Sequence, residues 1–302
     1  MFGFININKP HGVTSRFVVD QVQRLVKEHK VGHCGTLDPI ATGVLVIGIG
    51  SATRLVEFVQ QMPKSYRGTF LLGRSSDTLD IEGDISKLAG APVPSIELVR
   101  QSLQHFQGKM LQEPPQYSAI KVGGRRAYEV ARSGKQVSLS PREINIYNIS
   151  LMEFSYPEVT IDITCSGGTY VRAIGRDLAS RLNTSAVMKS LCRTAIGNFK
   201  ISGSLSPEIL KKGTISQSLI PPEAGVNHLK HVDLSENQFK EISNGRKISI
   251  PDYQLSAAQS EKVAAFFNDN LVAILHSAES FQWNPRKVFA PPVSKIDASG
   301  KA

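Results

Sequence analysis

Residues 31–58, VGHCGTLDPIATGVLVIGIGSATRLVEF, bring His33, Cys34 and Asp38 within six positions and follow them with a glycine-rich turn. Each feature has a chemistry that it could serve. A thiol beside an imidazole could be a nucleophile with its base. Chain neighbours point apart, however, and such pairs are generally assembled from distant segments. Cys34 reads better as a small, semi-buried thiol. GIGSAT, between a strand and a helix, matches the first two glycines of a dinucleotide-binding turn. Thr53 stands where Gly or Ala would let helix and strand pack closely, and a tight turn between core elements accounts for the pattern. Seven histidines are scattered without an HxxxH or Cys/His cluster, so no metal site is expected. DTLDIEGD, 77–84, carries carboxylates but lacks the terminal glutamate of an EF-hand loop.

Asp38 keeps two readings open. Pro39 biases it toward extended backbone, and the nearby glycines let a ligand approach the main chain. Asp-Pro is also an ordinary loop starter. Two distant residues bear on the choice. Arg172 lies in the first turn of the TYVRAIGRDL helix, where the helix dipole disfavours a cation, and opposite the apolar stripe of Tyr170, Ile174 and Leu178. Such an arginine is either recruited to a carboxylate or part of a solvated face. Tyr66, on a strand between Lys64 and Arg67, either stacks on a base or packs in the core. Segments 121–142 and 167–200 each hold six Lys/Arg against one acid, a composition suited to a phosphate backbone.

The elements that must position these residues are ordinary globular ones. The 302 residues are 41% hydrophobic and 20% charged, with a net charge of +9 and a pI near 9.5. That excludes wholesale disorder and fits a nucleic-acid binder. The N-terminus lacks a secretory pattern, and no apolar run is long enough to span a bilayer. Three cysteines without a CxxC pair fit a soluble protein in a reducing compartment, here expected to be the cytoplasm. FININ reads as a strand, and Thr14 and Ser15 can cap a helix with Val18, Val22, Leu25 and Val26 inward. Residues 32–43 read as a loop, VLVIGI as a buried strand, and SATRLVEFVQ as a short helix. KSYRGTFLLG alternates with Tyr66, Gly68, Phe70 and Leu72 on one face. SIELVRQSLQHF is an amphipathic helix, 142–166 holds two or three strands, and a helix opens after Gly167–Gly168. The class is α+β with a largely antiparallel sheet. From about residue 226 a helix and short strands form a second module with a loose tail from about 290.

Taken together, these segments resemble the TruB family of tRNA pseudouridine synthases, bacterial enzymes that isomerise uridine-55 in the T loop. GFININKPHGVTS and GHCGTLDPIATGVLVIGIGSATRL are similar to its first and catalytic motifs. KSYRGTFLLGRSSDTLDIEGD is similar to its tyrosine motif, and PPQYSAIKVGGRRAYEVAR to the start of its thumb insertion. CSGGTYVRAIGRDL and LCRTAIGNF are similar to its remaining signatures. The six motifs run in order through nearly all of residues 2–200.

The resemblance implies a pseudouridine synthase fold, with a mainly antiparallel central sheet flanked by helices over 1–225 and a small PUA-like β domain over 226–302. It implies Asp38 as the nucleophile, Arg172 as the partner that orients it, and Tyr66 stacked on the uracil and assisting proton removal. Tyr170 and Leu191 would contact the uridine, His33 would fill space left by the extruded nucleotide, and Lys9 would support the loop. The thumb, about 121–142, would close over the T arm of tRNA. The isomerisation needs no metal and no organic cofactor. A monomer acting without an obligatory protein partner, a guide RNA or a membrane is expected. A tRNA-binding or tRNA-folding factor without catalysis is the alternative. Cys34 stands where the family more often has Thr or another small residue, and local reactivity toward oxidants is expected there. Cys192 stands where the family frequently has an arginine.

Overall fold

The computed structural model describes residues 1–118, 121–122, 124–126, 130, 139–211, 213–250, 262–278 and 281–289. The chain enters as strand β1 (Phe2–Lys9), almost wholly buried. The Thr14 hydroxyl accepts from Phe17 N–H at 3.1 Å and so caps helix α1 (Ser15–Leu25), which turns Val18, Val19 and Val22 inward. Strand β2 (Val31–His33) ends, and strand β3 (Ala41–Gly50) starts, inside the stretch that the glycines mark as loop. Their pairing with one another shortens that loop to 34–40. A 3₁₀ turn, Ser51–Leu55, leads into the short helix α2 (Val56–Gln61).

Strand β4 (Lys64–Leu72) buries every second residue from Lys64, through Tyr66, Gly68 and Phe70, to Leu72. Helix α3 (Ile96–Gln104) is capped by Ser95, as its amphipathic pattern predicts, and buries Val99, Ser102 and Leu103. Strands β5 (Gly108–Gln112), β6 (Arg142–Ser155) and β7 (Glu158–Cys165) follow. Helix α4 (Val171–Arg181), strand β8 (Ala186–Ile196) and the short strand β9 (Phe199–Lys200) complete this part.

These nine strands form one sheet in the order β1–β3–β8–β4–β7–β6–β5, with β2 added to β3 and β9 to β8. Its pairings are antiparallel except for one short parallel join, which sets Leu191, Cys192 and Arg193 of β8 beside Ala41, Thr42 and Gly43 of β3. The chain is thus α+β with a mainly antiparallel sheet, as its pattern predicts. That parallel join places the segment leading out of loop 34–40 against the middle of β8, so residues far apart in sequence meet there. Gly43 is needed at the join: its φ is +96°, and an added Cβ would lie 2.3 Å from the Arg193 carbonyl oxygen.

A second sheet of five strands runs from 230 to 288. Strands β10 (Lys230–Asp233), β11 (Ile248–Ser249), β12 (Lys262–Phe267), β13 (Asn270–Ser277) and β14 (Gln282–Val288) lie in the order β10–β12–β13–β14–β11. Helix α5 (Glu236–Ser243), closed by a Ser235/Gln238 capping box, packs beside it. One core joins the two sheets: Phe4, Phe58 and Val59 share a cluster with Ala264, Phe266, Leu271 and Ile274. The Glu57–Lys287 ion pair at 2.6 Å and the Arg54 bond to the Val288 carbonyl at 2.7 Å close its edge. Most of the expected thumb, and the expected tail from about 290, lie outside the described residues. Of the thumb, a two-residue pairing of Lys121–Val122 with Arg125–Arg126 is described. No helix among the described residues is long and apolar enough to cross a membrane.

Candidate active site

Loop 34–40 carries Asp38 and is anchored on both sides of it. Leu37 N–H donates to the Ser15 hydroxyl at 2.8 Å, and that hydroxyl donates back to Leu37 C=O at 2.9 Å. Gly12 N–H donates to Pro39 C=O at 2.9 Å. The wholly buried Lys9 ammonium donates to the carbonyls of Val13 at 2.7 Å, Pro10 at 2.9 Å and Pro39 at 3.2 Å. Burial lowers Lys9 to about 8, opposed by the nearby Asp38 carboxylate. Lys9 is therefore a tie between β1, the following turn and the loop. The Asp38 side chain is left 39% exposed.

Arg172 supplies the carboxylate's partner. Its Nη2 lies 3.0 Å from Asp38 Oδ2 and its Nη1 lies 3.3 Å from Asp80 Oδ2. The same two nitrogens donate to Thr78 C=O at 2.7 Å and Tyr117 C=O at 3.0 Å. Arg172 is 8% exposed, so it is not part of a solvated face. Two carboxylates and two carbonyls outweigh the few tenths of a kcal/mol to about 1 kcal/mol that a cation loses in a first helical turn.

Tyr66 and Leu191 come from adjacent strands, with Leu191 opposite Gly68. Both belong to the core cluster that contains Leu37 and Ile40, the apolar residues bracketing Asp38. Burial pushes the Tyr66 phenol up, while the charge of Arg193 pulls it down. Tyr170 is the residue from which α4 starts, and burial pushes its phenol up too, with Arg172 and Asp38 both within electrostatic reach. Asp38, Arg172, Tyr66, Tyr170 and Leu191 therefore share one neighbourhood. His33 stands at the other end of the loop, where its Nδ1 accepts from Gly35 N–H at 3.3 Å. Burial and then the charge of Arg193 lower it.

Four residues not singled out in the sequence complete the site. Asp80 is buried and accepts from the Thr78 hydroxyl at 2.6 Å and Glu82 N–H at 3.1 Å. It sits in DTLDIEGD, where carboxylate spacing points only to a cation loop. Arg193 is 1% exposed and donates to the carbonyls of Val44 at 2.7 Å, Gly35 at 3.0 Å and Thr36 at 3.3 Å. It pins the loop from below and has no carboxylate within 4 Å among the described residues. Lys64 is likewise buried, donates to Gln60 and Met62 carbonyls, and is lowered by burial to about 8. Gln112 is 1% exposed and bonded to the Tyr170 backbone. Arg172 and Arg193, two of the six basic residues in 167–200, are thus internal and do not face a phosphate backbone.

Cys34 is wholly buried, and burial pushes its thiol up to about 12. A neutral, sealed thiol is inert, which corrects the expectation that it is open to oxidants. Cys192 is half-buried on β8 opposite Arg67. Among the described residues no group of three or more His, Cys, Asp or Glu is placed to hold a metal ion.

A carboxylate on an anchored loop, held at one oxygen by a buried arginine and flanked by an aromatic ring, is suited to nucleophilic catalysis on a flat base and its sugar. Residues 23–171 match the family model described as TruB family pseudouridylate synthase, N-terminal domain. The chain is 37% identical over 303 residues to the tRNA pseudouridine synthase B of Dehalococcoides mccartyi, a match covering 99% of this chain and 100% of that one. It is 37% identical over 295 residues to the tRNA pseudouridine synthase B of Heliobacterium modesticaldum, covering 95% of each. Its fold is similar to a chain of a solved Cbf5-Nop10-Gar1 complex, with a TM-score of 0.75 and 25% identity over 96% of this chain and 86% of that one. A chain of an H/ACA RNP bound to a substrate RNA containing 2'-deoxyuridine shares the fold at a TM-score of 0.74 and 22% identity, covering 97% of this chain and 86% of that one. With 37% identity to such relatives over nearly its full length and the pseudouridine synthase fold, the chain belongs to the TruB family of pseudouridylate synthases.

Proposed function

We propose that this chain is a tRNA pseudouridine(55) synthase, isomerising uridine-55 in the T loop of tRNA. The observation that carries the reading is the state of Asp38. One oxygen is held 3.0 Å from a buried arginine while the side chain remains open to a substrate. The reaction breaks the C1′–N1 bond, turns the uracil, joins C1′ to C5, and exchanges the C5 proton for one on N1. There is no net redox change, so a carboxylate able to form and release a covalent adduct suffices.

In this scheme the other oxygen of Asp38 attacks. Arg172 fixes the carboxylate's direction, which matters because small misplacements of a reacting group are costly. Tyr66 stacks on the extruded uracil, and Leu191 and Tyr170 line the uridine's position. His33 occupies space vacated by the nucleotide. The target must leave the folded T loop because C1′ and C5 are otherwise shielded. Residues 1–225 act as the catalytic domain and about 121–142 as a thumb over the T arm. Residues 226–302 act as a PUA-like module on the same RNA. The enzyme works as a monomer in the cytoplasm, with neither protein partner nor cofactor.

Pseudouridine mapping by mass spectrometry tests the reading on two unmodified tRNA transcripts. One pseudouridine at the T-loop position is expected, and none when that uridine is replaced by cytidine. Tight binding of both transcripts without any pseudouridine would instead favour a tRNA-binding or tRNA-folding factor.

A further inference from the structure

Gln112 ends strand β5 at the edge of the main sheet and is 1% exposed. Its carboxamide closes a two-point clamp on one peptide residue. Tyr170 N–H donates to Gln112 Oε1 at 2.8 Å, and Gln112 Nε2 donates to Tyr170 C=O at 3.1 Å. Tyr170 is the N-cap of α4 and has no side-chain cap of its own. Its carbonyl also begins the helix, accepting from Ala173 N–H at 3.1 Å and Ile174 N–H at 3.2 Å. The clamp therefore fixes where the helix starts and in which direction it sets out.

The residues after Gln112 continue the contact. Glu113 C=O accepts from Arg176 Nη2 at 3.0 Å, and Tyr117 C=O accepts from Arg172 Nη2 at 3.0 Å. Segment 112–117 thus lies along the first turns of α4 and meets Arg172 itself, on the nitrogen that faces Asp38. We infer that Gln112 is a positioning residue for the isomerisation: its amide clamp on Tyr170 sets the start of α4 so that Arg172 meets Asp38. This rests on the reading of Asp38 and Arg172 as the reacting pair.

The residue type follows from the chemistry. Tyr170 presents one donor and one acceptor, and a carboxamide answers both. A carboxylate answers only the N–H and faces the carbonyl with like charge. An aliphatic side chain answers neither, and at this burial water cannot replace it.

Single-turnover kinetics on an unmodified tRNA transcript test the inference with Gln112→Leu, Gln112→Glu, Arg172→Lys and the Gln112→Leu/Arg172→Lys double variant. Arg172→Lys keeps the charge and therefore a measurable residual rate. Gln112→Leu should slow the chemical step about 100-fold, the scale of a misplaced reacting group, and leave tRNA binding within about twofold of wild type. In the Arg172→Lys background the same change should matter by no more than about twofold, because Gln112 acts through Arg172. Full multiplication of the two losses would overturn the inference, as would a Gln112→Leu rate equal to wild type. If Gln112→Leu does not fold, Gln112→Glu, nearly the same in shape, carries the test. It should bind tRNA and lose rate, and wild-type rate in it would overturn the inference. Failure of the underlying reading looks different, since wild type itself would then form no pseudouridine.

Discussion

Arg172 and Asp80 form an ion pair at 3.3 Å with both side chains buried, and the arginine's other nitrogen holds Asp38. Asp80 thus supports the Asp38 carboxylate at one remove. It also accepts from Thr78 and Glu82, so its position is fixed independently of Arg172. Asp80→Asn keeps the shape and removes the charge. Removing one partner of a buried pair costs about 3–5 kcal/mol of stability, softened here by Arg172's remaining contacts. The expected outcome is a lower thermal midpoint and a rate at saturating tRNA reduced by up to about 100-fold, the scale of a misplaced reacting group. An unchanged rate in single-turnover assays would remove Asp80 from this role.

Tyr66 is assigned to stacking, and its ring should therefore matter more than its hydroxyl. Tyr66→Phe keeps the ring and Tyr66→Leu does not. Loss of one stack is worth about 1–3 kcal/mol, so the leucine variant should fall about 5- to 160-fold below the phenylalanine variant in pseudouridine formation. Equal rates for the two would contradict the assignment.

Arg193 pins the carbonyls of Gly35, Thr36 and Val44. Arg193→Met fills similar space but donates nothing, leaving three carbonyls short of a partner at about 1–3 kcal/mol each where they stay buried. Loop 34–40 should loosen more than the rest of the sheet. Hydrogen exchange at Leu37 N–H, bonded to Ser15 in the native loop, should quicken well before exchange in β4. Equal protection of Leu37 N–H in wild type and Arg193→Met would show that the loop holds without the pin.

Buried lysines and thiols give alkaline stability a definite shape. Burial brings Lys9 and Lys64 each to about 8, whereas unfolded lysines keep their protons to about 10.4. Between these values the unfolded chain binds more protons, so these lysines make stability rise with pH. Cys34 and Cys165 act in the opposite sense. Burial raises them to about 12 and about 11, while unfolded thiols ionise near about 8.5. Above that the folded chain holds the extra protons and stability falls. The urea midpoint should rise from about pH 7.5 to about pH 8.5 and flatten or turn down above about pH 9. A steady fall across the lower interval would contradict this assignment of the buried lysines.

How much of this was legible depends on how far each signal travels along the chain. The alternation of Tyr66, Gly68, Phe70 and Leu72 and the Thr14 cap are local, and both appear where the pattern puts them. Glycines mark 32–43 as loop, but they do not reveal that His33 and Ala41 already lie in strands, because His33 pairs across the loop with Ile47 and Ala41 with the distant Leu191. Arg172 stands out of place against the helix dipole, yet what decides between solvent and carboxylate is Asp38 and Asp80, far away in the chain. Arg193 sat in a basic run, where charge counting treats it like its exposed neighbours. Gln112 carries no local signal, since an amide that clamps a distant backbone looks like any other glutamine at a strand end. The roles of Asp38, Tyr66, Arg172, Tyr170, Leu191 and His33 come from the family resemblance rather than from pattern, and they stand as the proposal to be tested.

The most direct test is release of tritium from [5-³H]uridine-labelled, unmodified tRNA transcript, comparing wild type with Asp38→Asn while filter binding monitors tRNA. Wild type should release label from the T-loop uridine. Asp38→Asn, alike in shape but without the nucleophilic carboxylate, should bind the transcript and release none above background. Equal release by the two proteins would contradict the assignment of Asp38 as the nucleophile.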